Sequence, residues 1–165
     1  VIASRQTIWA RSELRIQSGA RSHGRLNVHA AFGIAMPVSS LAPASTGITL
    51  AFQDDADDTM LEIDLPAGPR WTARRGGWRY RDPRGSVDGV RRVEITDATR
   101  GGVPGVVVAL SARDGAYPVG ASALPVALTV VLGDTKSGQA GACGRHDFDA
   151  ASCASGRGGG RLVCR

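Results

Sequence analysis

The sequence predicts an all-β fold, an antiparallel β-sandwich or a barrel closed from the same strands, built from two similar five-stranded halves. Three observations predict it. Short segments alternate polar and apolar residues with the period of two that a half-buried strand requires. Their connections are rich in glycine, proline and aspartate, the residues that turn a chain. The chain of 165 residues also matches itself in pattern when displaced by about 80 positions, which divides a single domain 1–165 into halves over 10–82 and 83–165. Each half has one apolar face, so packing the halves through those faces buries both. Helix has little support, because no long window keeps apolar positions at helical spacing without Gly or Pro interrupting; Ser4 to Leu14 is the only candidate.

The strands follow in order. Glu13-Leu14-Arg15-Ile16-Gln17 matches Arg92-Val93-Glu94-Ile95-Thr96, so Leu14 and Ile16 face where Val93 and Ile95 face. The next strand carries Leu26, Val28, Ala30 and Phe32 against Val106, Val108, Leu110 and Ala112, and a slip of one residue would turn the whole set outward. Proline-bearing connections follow, around Pro37 and Pro43 in one half and Pro118 and Pro125 in the other. A third strand sets Ile48, Thr49, Leu50 and Phe52 against Leu128, Thr129, Val130 and Leu132; both copies end in aspartate, Asp54 and Asp134. The fourth alternates Leu61, Ile63 and Leu65 with Glu62 and Asp64, opposite His146-Asp147-Phe148-Asp149. Each half closes with Gly-Gly and a short strand, Gly76-Gly77-Trp78-Arg79-Tyr80-Arg81 against Gly159-Gly160-Arg161-Leu162-Val163-Cys164-Arg165, which sets Cys164 where the first half has Tyr80.

Composition bounds the function. With 42% hydrophobic and 21% charged residues the chain is an ordinary globular domain, not a disordered one. The apolar run Val106 to Leu110 is far too short to cross a bilayer, and no membrane span is expected. The formal charge is +5, and Lys136 is the only lysine. In a chain rich in Ala, Gly, Val and Arg, as a GC-rich genome favours, arginine content is a weak pointer to nucleic acid, which is not an expected partner. Residue 1 is Val and no signal-peptide pattern follows, so the sequence reads as a fragment or mature piece whose partner is the remainder of a larger parent chain.

Cys143, Cys153 and Cys164 all lie in the last quarter, without the C-x-x-C pairs of zinc or redox sites. A local disulfide in a secreted or cell-surface protein is the expectation. Cys164 is expected to be paired, with Cys153 preferred over Cys143, because the glycine-rich loop Ala154 to Gly160 can bring strand end and loop together.

The landmarks Leu65-Pro66-Ala67-Gly68 with Trp71, Gly77-Trp78-Arg79-Tyr80-Arg81-Asp82, Gly89-Val90, Leu132-Gly133-Asp134, and Cys143-Gly144 with Phe148, Cys153 and Cys164 run through most of the chain. In them the sequence resembles an uncharacterised duplicated β-rich module found near the C-terminus of large secreted or cell-surface bacterial proteins. The resemblance implies export and an all-β fold, and carries no active site.

Two segments carry candidate chemistry. Between Arg70 and Arg92, arginines crowd around Trp71, Trp78 and Tyr80; Arg70, Trp71, Arg74, Arg75, Arg79 and Arg81 are the candidate ligand-binding residues, since guanidinium groups grip anions and aromatic faces carry sugars. The competing reading is a hairpin in which Trp78 and Tyr80 point inward and Arg79 and Arg81 outward. Asp54, Asp55, Asp57 and Asp58 crowd one turn and are candidate calcium ligands, calcium being the one cofactor they suggest, although the spacing is not that of an EF-hand and a solvated acidic turn is the preferred reading. His23, His29 and His146 lack catalytic spacing, there is no nucleophile elbow, and the Gly-rich stretches lack a P-loop's Lys-Ser/Thr. The expected function is therefore a non-enzymatic accessory or structural domain of an exported protein. The alternatives are a binding module for an anionic polysaccharide or other polyanion through the 70–92 segment, and an unrecognised hydrolase.

Overall fold

A computed structural model describes residues 12–17, 23–133, 142–156 and 160–165. These form strands β1 (Glu13–Gln17), β2 (Gly24–Gly33), β3 (Ile48–Gln53), β4 (Thr59–Leu65), β5 (Trp71–Arg74) and β6 (Gly77–Arg81), then β7 (Val90–Asp97), β8 (Gly105–Gly115), β9 (Val126–Val131), β10 (Cys143–Phe148), β11 (Cys153–Ser155) and β12 (Arg161–Cys164). Among the described residues helix is limited to one turn, α1 (Pro43–Thr46), and three-residue 3-10 turns. Ser4 to Arg11 of the helix candidate lie outside the described residues, and its last two residues, Glu13 and Leu14, are strand.

The fold is an all-β sandwich of two antiparallel sheets. The long sheet has eight strands in the order β11-β12-β1-β2-β8-β7-β6-β5; the short sheet has four, β10-β9-β3-β4. Neither sheet closes on itself, which overturns the barrel alternative.

The layout differs from two five-stranded halves packed face to face. β2 pairs with β8 and β3 with β9, so both layers draw equally on the strands before and after residue 83. Two short hairpin strands, β5 and β11, add to the expected set. Exchanging β1–β6 for β7–β12 turns each strand order into its own reverse. Leu14 faces Cys164 as Val93 faces Tyr80. Leu14 also faces Val28, but Val93 faces Leu110, so here the two strands correspond two residues away from the expected match. A shift of two keeps the same face inward, and an alternating pattern cannot distinguish the two registers.

The core lies between the layers. Leu14, Leu26, Leu50, Phe52, Ile63, Val93, Val108, Leu128 and Val130 are fully buried, and Leu50 and Val130 are cross-strand partners. Where β10 crosses β2, a Cβ on Gly144 would lie 2.5 Å from the Cβ of Phe32; glycine lets the phenyl ring fill the gap between the sheets. Tyr117 closes one end, its hydroxyl donating to the carbonyl of Asp88 at 2.7 Å from a buried position.

Candidate functional site

The hairpin β5–β6 separates the expected ligand residues into different roles. Trp71 is buried, its indole Nε1 donates to the carbonyl of Pro66 at 3.0 Å, and its ring lies 5.1 Å from that of Tyr80. Trp71 is therefore a core residue, a correction that follows from strand alternation. Arg70 is committed as well. Its Nη1 lies 3.2 Å from Asp82 and donates to Ser86 Oγ at 2.8 Å. Asp82 is buried, and hydrogen bonds from the Ser86 side chain first, then from backbone amides of Ser86 and Arg84, with Arg70 beside it, hold its carboxyl below the usual range despite burial. This cluster fixes the loop that leads into β7.

Arg79 is bound to Glu94 at 2.8 Å. Arg74, Arg75 and Arg81 are exposed and have no acidic partner among the described residues. Arg74 joins Trp78 and Asp97 in lining a cleft of about 280 Å³ at the hairpin turn.

The larger feature is the outer face of the long sheet. The alternation that turns Leu14, Ile16, Leu26, Val28, Leu110 and Ala112 inward turns their neighbours outward. Straight across the strands, Arg15 stands opposite Asn27, Asn27 opposite Ser111, Ser111 opposite Arg92, and Arg92 opposite Arg81. Two residues along, Arg161 stands opposite Gln17, Gln17 opposite Arg25, and Arg25 opposite Arg113. The row on the other side holds the acids. Glu13 is met by Arg15 and Arg165, and Glu94 by Arg92 and Arg79, whose hydrogen bonds hold its carboxyl below the usual range. At the β11–β12 end, Arg15, Arg161 and Arg165 line a hollow of about 360 Å³.

The short sheet carries the opposite sign. Its outer face presents Glu62, Asp64 and Asp147, with Asp54, Asp55, Asp57, Asp58 and Asp149 at its turns. Arg145 is the only arginine or lysine on its four strands, and Asp57 at 2.8 Å and Asp147 at 2.9 Å hold it. The four candidate calcium ligands do not converge. Asp54 accepts hydrogen bonds from the amides of Ala56 and Asp58, which makes it a turn residue, and among the described residues no three His, Cys, Asp or Glu side chains gather as a metal site. Asp134, the aspartate matched with Asp54, lies outside the described residues.

Cys153 and Cys164 form the disulfide, as cross-strand partners in β11 and β12; Cys143 is a buried thiol on β10. His146 faces inward next to Phe148, with ring centroids 4.4 Å apart, and its Nδ1 is buried without a hydrogen-bond partner. Burial pushes its pKa down.

Sequence reasoning centred on the 70–92 segment and missed Arg15, Arg25, Arg113 and Arg161. Alternation alone marks each of them as outward, but only the pairing of β12, β1, β2 and β8 brings them together. Fold and surface together define an open antiparallel β-sandwich with one basic and one acidic face. No family model, curated protein or solved structure matches the chain.

Proposed function

We propose that the chain is a non-enzymatic accessory domain of a larger exported protein, and that it works there as a binding module for an anionic polysaccharide. The observation that carries this reading is the segregation of charge. The long sheet turns Arg15, Arg25, Arg81, Arg92, Arg113 and Arg161 to one side, while the short sheet's only arginine is neutralised by two aspartates. Such a surface concentrates a polyanion by field and by counterion release.

Several features support the setting. The disulfide Cys153–Cys164 is stable in an oxidising compartment, the environment outside the cell. No described helix is long and apolar enough to cross a membrane. Nucleic acid is the weaker partner, because Trp71 and Tyr80 are turned into the core and leave the arginine face without those rings for base stacking. The exchange of β1–β6 with β7–β12 supports an origin by copying one six-stranded unit.

Heparin affinity chromatography tests the reading. The expected result is retention at low salt that collapses as salt rises. Passage through the column unretained at low salt, with the same result on immobilised polygalacturonate, overturns it.

A further inference from the structure

We infer that the anion site is the end of the long sheet's outer face where β2 and β7 begin and β6 and β8 finish, with Arg25 opposite Arg113, Arg81 opposite Arg92 and Asn27 and Ser111 beside them, and that its ligand is a linear carboxylated or sulfated polysaccharide laid across the strands. The inference rests on the proposed function and gives it a place and a ligand geometry.

One unrelieved like-charged pair, Arg25 and Arg113, carries it, and Arg81 facing Arg92 extends it. Arg25 and Arg113 are directly opposite on β2 and β8, and Arg81 and Arg92 directly opposite on β6 and β7, all four exposed. Like charges placed directly opposite on neighbouring strands destabilise a sheet. Several arginines nearby are relieved by carboxylates, Arg15 by Glu13, Arg79 and Arg92 by Glu94, and Arg91 by Asp114 at 2.9 Å, so Arg92 within the second pair is itself held by Glu94. Arg25, Arg113 and Arg81 have no such partner among the described residues. An anion seated between two guanidinium groups removes the repulsion and gains charge-assisted, bidentate hydrogen bonds.

The surroundings favour a chain over a small ion. Asn27 and Ser111, paired across the same two strands, offer amide and hydroxyl groups to sugar hydroxyls. The rows cross strands about 4.8 Å apart, so a chain laid across them meets Arg161, Arg25 and Arg113 in one row and Asn27, Ser111, Arg92 and Arg81 in the other. One row passes from Arg161 through Arg25 to Arg113, and its Arg161 end opens into the hollow lined by Arg15 and Arg165. The face is open and sits on the two longest strands of the fold, a rigid platform.

The test compares the chain with two variants of equal charge loss, Arg25→Ser/Arg113→Ser and Arg74→Ala/Arg75→Ala. Binding of size-defined oligogalacturonate and of a heparin oligosaccharide is measured by calorimetry over a salt series, with thermal melts of each protein with and without ligand. The sheet variant is expected to lose about tenfold or more in affinity, with a salt dependence shallower by about two ion contacts. It should melt no lower than the parent when unliganded, because the like-charge pair is gone, and should lose the ligand-induced rise in Tm. The hairpin variant should keep its affinity within about twofold. Equal losses in both variants, or a larger loss in the hairpin variant, overturn the location. Tighter binding of duplex DNA than of the oligosaccharides overturns the ligand class. No binding by the parent chain overturns the function itself, which separates that failure from the others.

Discussion

Tyr117, buried, and His146, half-buried with its Nδ1 inside, are groups whose protons the fold controls in opposite ways. Burial and the nearby Asp88 and Asp114 carboxylates push the Tyr117 phenol up to about 12, so the fold favours its neutral form. Its contribution is complete below the phenol's ordinary value near 10 and is lost as pH rises through 12. Tyr117→Phe should cost about 1 kcal/mol at neutral pH, the worth of one hydrogen bond to a carbonyl, and should remove this part of the alkaline decline in urea titrations. His146 is held neutral because burial lowers its pKa from 6.5, against the opposing pull of Asp147 and Asp149. The unfolded chain therefore binds its proton first. Stability should be complete above pH 6.5 and fall as pH drops below it, and His146→Phe should flatten the curve over the interval below pH 6.5. A variant curve parallel to the parent's over that interval would remove His146 from the explanation. Neither role was legible in sequence, where a lone histidine or tyrosine on an alternating segment looks the same whether its polar atom is satisfied or orphaned.

At the scale of elements, the short hairpin β11–β12 depends on its cross-link. β11 has three residues and lies at the edge of the long sheet, and the disulfide joins it to β12. Cys153→Ser should lower stability by about 2–3 kcal/mol, the range for closing a loop of this size, and nonreducing peptide mapping of the parent should recover Cys153 linked to Cys164. The sequence made this pairing readable because the Gly-rich loop separates the two residues by one hairpin. It also made the inward residues of β1, β2, β3 and β7 readable, through strict alternation. It hid β5 and β11, which are too short for periodicity to register, and the two-residue shift between the repeat's second strands, which changes partners without changing faces. Trp71 shows the same limit. Its arginine-rich neighbours suggested a ligand site, whereas pairing with Tyr80 puts it inside.

Across the whole molecule, a net charge of +5 conceals a division that no linear reading exposes. Arg15 and Arg25 are far in sequence from Arg113 and Arg161 and meet them only because β2 joins β8 and β12 joins β1. The aspartates of the β3–β4 turn and of β10 gather on the opposite face for the equivalent reason on the short sheet. Sequence could predict that the chain is basic and that single residues point outward. It could not place those residues on one surface, because strand order, unlike alternation, is a long-range property. This division predicts that salt will weaken polyanion binding steeply.

The most direct test follows backbone amide shifts by NMR as oligogalacturonate is added. The account predicts that Arg25, Asn27, Ser111, Arg113 and Arg92 move together while β3, β4, β9 and β10 stay still. Shifts confined to the Arg74–Arg75 turn, or centred on the short sheet, would contradict it.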